Sequence, residues 1–296
     1  MLWIWWAVTG YFLNATAITI DKTLLGRKEL KDPAVYTLLI SALGLLVFVL
    51  EPWGLTWPKT SVLVTALLSG AAFTLGLWLM FRVLQRGEAS RVPAFIGSLN
   101  PIFVLIGSYL LLNERLGMVS LAAFLFLVLG GFMMIGGHGG LGRRDLWLAV
   151  WSSMAFGVAY VLLKSTFDDT NFISGLIWSR TGGFLASLLL WCVPGTFKNW
   201  QQSLHSGGQV KLIFLVGQVA AAAGGLFNSY AITLASVTLV NAVQGVQYVF
   251  LLVMALVVSW QWPKLFRDEF TGEVLLRKII GTVLIVGGLW FLSLSV

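Results

Sequence analysis

Long apolar stretches separated by short polar breaks run through the whole chain. A transmembrane helix needs about 20 mostly apolar residues to cross about 30 Å of hydrocarbon. Stretches near this length predict ten helices, at 2–20, 34–50, 61–81, 92–112, 118–136, 146–164, 172–192, 211–230, 238–259 and 277–295. Aromatic and turn residues collect in the breaks, as at 52–53, 57–58 and 194–195. The pattern therefore predicts an all-α integral membrane protein.

Composition supports this prediction. Of 296 residues, 58% are hydrophobic and 10% are charged, whereas a soluble globular chain carries about 25% charged residues. The first stretch has no Lys or Arg before it and no small-residue cleavage pattern after it, so we expect it to remain in the mature protein. The single cysteine, Cys192, excludes an internal disulfide and a cysteine metal cluster, and no cofactor is predicted.

The positive charges predict an orientation. Most of the 19 Lys and Arg residues follow the odd-numbered predicted helices, while Lys59, Arg115 and Lys164 lie on the other side. By the positive-inside rule, both termini are expected outside the cytoplasm, in a cell (inner) membrane. Because the net charge of +7 is spread over the breaks, it favours contact with anionic lipid headgroups over a nucleic-acid partner.

The sequence contains an internal repeat. Residues 7–8 recur as 149–150, Lys22 as Lys164, Pro52 as Pro194, and residues 130–131 as 287–288. The repeat divides the chain into 1–137 and 145–296, with a charged insertion at 263–273 in the second part. Because each part contains five predicted helices, an odd number, the second part enters the membrane from the opposite side. The sequence therefore predicts two inverted five-helix repeats, an arrangement typical of transporters.

Several motifs resemble the repeat unit of EamA-type transporters in the drug/metabolite transporter (DMT) superfamily. They are Gly-Glu-Ala-Ser at 87–90, Leu-Asn-Pro-Ile-Phe-Val at 99–104, Asn-Glu-Arg-Leu-Gly at 113–117, and Gly130-Gly131. The part 145–296 looks like a diverged second copy. The resemblance implies a ten-helix fold, a central cavity lined mainly by helices 1, 3, 4, 6, 8 and 9, and export or exchange of small metabolites.

Three features depart from the family pattern. Pro101 corresponds to Gln247 in the second part, and Glu114 corresponds to Trp260. Family members also commonly place their termini in the cytoplasm, in disagreement with the charge distribution.

The densest set of polar residues lies in the predicted ninth helix. Asn241, Gln244 and Tyr248 follow a helical i, i+3, i+7 spacing, and Gln247 borders their face. Amides both donate and accept hydrogen bonds, which suits recognition of a polar metabolite. The alternative is hydrogen bonding between helices, at about 0.6 kcal/mol per contact.

Other helices supply further candidates for a cavity lining. Pro101 removes a hydrogen bond in helix 4, so a kink or local unwinding is expected there. Close helix packing is the alternative for helix 8, where small residues share the face of the amides. The candidates in these helices are Tyr11, Asn14, Ser98, Asn100, Pro101, Tyr160, Gln218 and Asn228.

Arg180 is the charged residue placed well inside a predicted helix. It either binds an anionic group of a substrate or pairs with helix dipoles and polar neighbours. The resemblance favours the structural role, because an arginine common in the family's second and seventh helices lies outside the main cavity lining.

The carboxylates are expected in loops or at helix ends, and His138 and His205 lie in Gly- and Ser-rich segments. With no buried proton carrier expected, facilitated diffusion or exchange is the predicted mode.

The leading functional prediction is a transporter of small polar metabolites such as amino-acid-like compounds. An assembly subunit that does not transport is an alternative. A membrane-embedded enzyme is less favoured, because no nucleophile with a base, paired carboxylates or metal motif appears. A homodimer stays open, because the paired glycines at 130–131 and 287–288 suit packing within or between chains.

Overall fold

The computed structural model describes residues 2–25, 32–86, 91–135, 142–204, 207–261 and 272–294. Within these ranges the chain forms helices joined by short connections, with no β-strand. The α-helices are α1 (Leu2–Leu25), α2 (Pro33–Gly44), α3 (Thr60–Arg86), α4 (Arg91–Leu111), α5 (Met118–Met133), α6 (Arg143–Asp169), α7 (Phe172–Leu188), α8 (Thr196–Leu204), α9 (Gly208–Leu234), α10 (Val237–Ala242), α11 (Gly245–Gln261) and α12 (Gly272–Leu294). The 3-10 helices Leu45–Trp53 and Leu189–Cys192 extend α2 and α7.

Eight helical segments of the described chain are long and apolar enough to cross a membrane. They are Pro33–Trp53, Thr60–Arg86, Val92–Leu111, Arg143–Asp169, Phe172–Cys192, Gly208–Leu234, Val237–Met254 and Gly272–Leu294. Helix α5 is apolar but shorter. Helix α1 has 24 residues but is not among the eight, because tryptophans and polar side chains lower its hydropathy. The all-helical prediction is confirmed, whereas ten spans and an inverted repeat remain predictions.

The structure corrects three details of the predicted helices. Helix α1 continues to Leu25, beyond the expected end at residue 20. The predicted ninth helix is interrupted between α10 and α11. Helix α8 was not predicted, and its nine residues are too few to cross a membrane. Asn199 of α8 donates a hydrogen bond to Asp32, the residue that caps the start of α2. The predicted insertion at 263–273 and the motif at 87–90 lie largely or wholly outside the described residues.

The most extensive helix contacts are α1 with α9, α3 with α6, α3 with α7, and α5 with α12. Glycines bring the last pair close together: a Cβ on Gly130 would lie 2.8 Å from the Gly281 carbonyl oxygen, and one on Gly288 would lie 2.7 Å from the Leu127 side chain. Gly131 and Gly287 also face side chains of this chain. These paired glycines therefore pack within the chain, and the homodimer stays a prediction.

The crossing of α3 and α7 provides a test of this close packing. A Cβ on Gly182 would collide with backbone atoms of Leu67, which cannot move without separating the helices. We expect Gly182→Ala to lower the free energy of unfolding by about 1–3 kcal/mol. The measurement is the midpoint of thermal unfolding in detergent, followed by size-exclusion chromatography.

Gly117→Ala is the matched control, since nothing lies within 4 Å of a Cβ there and the φ of −67° suits alanine. Equal midpoints for the two variants would contradict the packing described for α3 and α7.

Candidate functional site: an internal polar cavity

A cavity of about 470 Å³ lies among the helices, within the range of about 300–1,000 Å³ of small-molecule sites. Its walls come from α1, α2 with its 3-10 extension, α3, α4, α6, α7, α9, the segment that joins α10 to α11, and the start of α11. These include the helices that the family resemblance implied. The walls formed by α2 and α7 are additional.

The structure divides the predicted site residues into two groups. The cavity is lined by Asn14, Asn100, Tyr160, Arg180, Gln218, Asn228, Gln244 and Gln247. The remaining ones pack behind the lining: Tyr11, Ser98, Pro101, Asn241 and Tyr248. Gln218, Asn228, Gln244 and Gln247 therefore face one common space rather than an outer surface of the chain.

Asn100 connects α4 to the segment around α10. Its Nδ2 donates to Asn241 Oδ1 at 3.0 Å and to Gln244 Oε1 at 3.2 Å. Asn241 in turn donates to the Val237 carbonyl oxygen at 2.8 Å. The Asn100 Oδ1 has no hydrogen-bond partner in the described part of the chain, which leaves a buried acceptor available at the cavity wall.

The break between α10 and α11 places Gln244 in this wall. At this point the backbone bonds shift to an i to i+3 pattern, with Gln244 N bonded to the Asn241 oxygen at 3.1 Å and Gln247 N to the Gln244 oxygen at 2.9 Å. The shift rotates the amides away from the single helical face that the sequence predicted. Irregular backbone at membrane depth is tolerated where it lines a cavity.

The expected unwinding at Pro101 is not observed. Helix α4 continues from Arg91 to Leu111 through Pro101, and the interruption lies instead in α10–α11 at the corresponding position in the second half. The predicted kink at Pro101 stays a prediction. Gly245, two residues after Val243, is the local residue that disfavours a continuous helix at the interruption.

Tyr11, Ser98 and Tyr248 reinforce the wall from behind. Tyr11 donates its hydroxyl to the Val240 carbonyl oxygen at 3.0 Å, next to the helix break. Ser98 donates to the Ala94 oxygen at 2.6 Å. The Tyr248 hydroxyl lies against Gly97, where any Cβ would collide with it. The Tyr11 bond joins two helices, as the structural alternative expects. The Ser98 bond lies within α4, and the Tyr248 hydroxyl has no hydrogen-bond partner among the described residues.

Helices α1 and α9 cross at a pair of glycine and asparagine residues. Asn228 lies against Gly10, and the side chain of Asn14 would be 2.5 Å from a Cβ on Gly224. The two helices are therefore antiparallel here, with an amide on each side of the crossing. Asn228 Oδ1 has no partner among the described residues, so it is a second available acceptor at the lining.

Arg180 lines the cavity, contrary to what the family resemblance implied for an arginine in helix 7. Its guanidinium stacks over the Phe73 ring at 5.3 Å, and its Nη2 would lie 3.2 Å from a Cβ on Gly225. In the described part of the chain, no carboxylate lies within 4 Å of it. The cation is thus held by an aromatic ring and faces a space where an anion fits.

Asp21 is the functional candidate that sequence reasoning missed. It was assigned to the polar break after helix 1, but α1 continues past it and leaves it 5% exposed at the cavity lining. Asp21 lies about one turn before the end of α1, and the expectation that no buried group could carry a proton is wrong. The signal was Leu24-Leu25, which continues the apolar pattern one turn beyond Asp21 and Lys22.

These features define the class of protein: a helical, multi-pass membrane protein with a cavity among its helices, whose largely apolar lining includes amides, Arg180 and Asp21. Residues 1–136 match the model of the EamA-like transporter family. The resemblance to an EamA-type transporter is thereby confirmed for the first half of the chain. The match ends at residue 136, so the second copy expected in 145–296 remains a prediction.

Solved structures and curated proteins give two further comparisons. A solved structure titled "Crystal structure of protein" is 19% identical, with a TM-score of 0.66, and the alignment covers 97% of this chain and 99% of that one. At this identity the likeness shows the fold alone. No curated protein matches the chain.

Access of water to the cavity can be measured on α9. With Cys192→Ser removing the single cysteine, we expect Ala221→Cys at the lining to react with a small charged thiol reagent, because the reactive thiolate requires water.

Two positions on the same helix serve as controls. Ala231→Cys, in the core at 0% exposure, and Val216→Cys, outside the lining at 55% exposure, are expected to stay unmodified in liposomes. Equal labelling at all three positions would contradict a water-filled cavity bounded by α9.

Proposed function

We propose that this protein transports small polar metabolites of the amino-acid-like class by alternating access. The observation that carries the proposal is the convergence of amides from both halves of the chain, together with Arg180, on one internal cavity. The membership of residues 1–136 in a transporter family supports the same conclusion.

Arg180 defines the chemical class of substrate. Guanidinium forms charge-assisted and often bidentate hydrogen bonds with carboxylates, and the nearby amides suit uncharged polar groups. Sugar phosphates and nucleotide sugars would require several cations, whereas Arg180 is the one Lys or Arg at the described lining. A compound with a single carboxylate therefore fits better than a dianion.

Helix packing supports an inverted repeat as the basis of alternating access. The repeat pairs the predicted helix 1 with helix 6, which are α1 and α6 in the structure. It also pairs the predicted helix 3 with helix 8, which are α3 and α9. A two-fold relation between the halves would then make the α1–α9 contact equivalent to the α6–α3 contact, and these are the two most extensive contacts. Corresponding helices α2 and α7 also both end in 3-10 helices. Two such halves exchanging conformations would open a central site to each side in turn.

The convergence of the amides also bears on the alternative of an assembly subunit. A subunit interface would require these groups at the outer surface, but Gln218 and Asn228 are 7% and 4% exposed and face the cavity. The proposal includes the orientation from the positive-inside rule, with both termini outside the cytoplasm.

Uptake into liposomes that contain the purified protein tests the function. We expect saturable uptake of at least one radiolabelled compound from a panel of amino acids. Arg180→Ala should weaken apparent affinity about tenfold or more, since it removes a charge-assisted bond worth about 1.5–3 kcal/mol. Gln244→Ala should weaken it by a smaller factor.

Arg86→Ala is the control, because Arg86 pairs with Asp145 at 3.4 Å outside the cavity lining. Uptake that is unchanged in both cavity variants would place the substrate elsewhere. An absence of uptake for the whole panel would refute the proposed substrate class.

A further inference from the structure

Asp21 is a charged group of the cavity lining to which the proposed substrate recognition by Arg180 and the amides assigns no role. Tyr36 of α2 donates its hydroxyl to Asp21 Oδ1 at 2.5 Å, and Gln218 of α9 donates to the same oxygen at 3.2 Å. Tyr36 is fully buried and Asp21 is 5% exposed. The carboxylate therefore joins three helices at the cavity wall.

The two groups that donate to Asp21 are neutral. On the elements around it, the charged groups have other described contacts: Lys22 reaches the Leu84 carbonyl oxygen at 2.7 Å, and Arg82 of α3 stacks on Trp78. Arg86 of α3 pairs with Asp145, and Asp32 caps α2. Lys211 is exposed at the start of α9. The sequence of α11 contains the titratable Tyr248 but no Lys, Arg, Asp or Glu. Among the described residues, Asp21 is thus buried with hydrogen bonds from neutral donors. Burying an ionised carboxylate without a paired cation is costly, and binding a proton removes that cost.

The repeat indicates that the fold itself does not require a carboxylate here. The alignment that pairs Lys22 with Lys164 pairs Asp21 with Leu163. Leu163 is also buried at the cavity lining, so an apolar residue fills the corresponding position. Asp21 is thus an asymmetric feature of the first half, as expected of a functional group rather than of a packing requirement.

We propose that Asp21 is the proton-binding site of the transporter and that its protonation is linked to binding of the substrate carboxylate. This inference rests on the proposed function, and it replaces the expectation of transport without a proton carrier.

The geometry gives the sign of the linkage. On α9, Gln218 beside Asp21 and Gly225 beside Arg180 are two helical turns apart, about 10 Å along the axis. An ionised Asp21 offsets the charge of Arg180, and a protonated Asp21 leaves that charge available to an anion. Two unit charges about 10 Å apart near a protein surface change each other's ligand affinity by about tenfold, so the spacing of these two α9 positions gives the scale of the expected effect. Proton and substrate carboxylate therefore favour each other's binding, as in co-transport in one direction.

The test measures proton binding and transport separately. Infrared difference spectroscopy of the purified protein between about pH 5 and 9 detects a protonated carboxyl group without any substrate. We expect a carboxyl band that changes with pH in the wild type and is lost in Asp21→Asn. Asp168→Asn, which removes an exposed carboxylate paired with Lys164, should retain the band.

In liposomes, the amino-acid panel is tested with and without an imposed pH gradient. Wild-type uptake should rise when the substrate side is acidic, and the gradient should drive accumulation. Asp21→Asn mimics the protonated form, so it should retain exchange of labelled for unlabelled compound but lose the response to the gradient. Tyr36→Phe removes a donor to the carboxylate and should move half-maximal uptake to higher pH.

A pH-dependent carboxyl band that persists in Asp21→Asn would overturn the assignment, and so would equal gradient-driven accumulation in that variant. A wild-type protein that exchanges amino acids with no response to the gradient would also overturn it while leaving the transport function intact. If the band is lost in Asp21→Asn and the wild-type protein takes up no compound of the panel, the result would support proton binding at Asp21. It would refute the proposed substrate class instead.

Discussion

Hydrocarbon offers no hydrogen bonds, and this one constraint accounts for most of the structure. Every backbone group in the membrane must be satisfied within the chain, which leaves helices as the form that these apolar stretches adopt. Polar side chains must then face other helices or an internal space. Six amide side chains, Arg180 and Asp21 meet this requirement at one cavity, so the constraint that shapes the fold also gathers the groups able to bind a solute.

Glycine and serine allow the helices to come close enough to enclose that space. At the α3–α6 crossing, Ser152 donates to the Gly76 oxygen at 2.7 Å and Ser69 donates to the Ala159 oxygen at 2.8 Å. These bonds join side chains to backbone oxygens across the helices, in the manner common to membrane interfaces rich in small residues. The cavity is therefore bounded by tight contacts on several sides, and its polar groups are held by rigid neighbours.

The apolar pattern predicted where helices form, because burial in lipid imposes a minimum length that the sequence displays directly. The polar residues inside the predicted helices included eight that line the cavity, because polar side chains are rare in such helices and easy to recognise. It failed where tertiary contacts decide the outcome. Asp21 resembled the start of a loop until Tyr36 and Gln218 enclosed it. Similarly, the only local signal for the break at Val243 is the single glycine Gly245, whereas Pro101, a stronger helix breaker, lies in a continuous helix.

In a carrier composed of two inverted halves, identical sequences would give the inward-open and outward-open forms equal free energy, because each form would be the other turned over. Every divergence between the halves shifts that balance. In the inverted repeat proposed for this chain, Asp21 pairs with Leu163 and the unbroken α4 pairs with the interrupted α10–α11. Both divergences lie at the cavity, so sequence drift between two such halves would set which side of the membrane the empty carrier faces at rest.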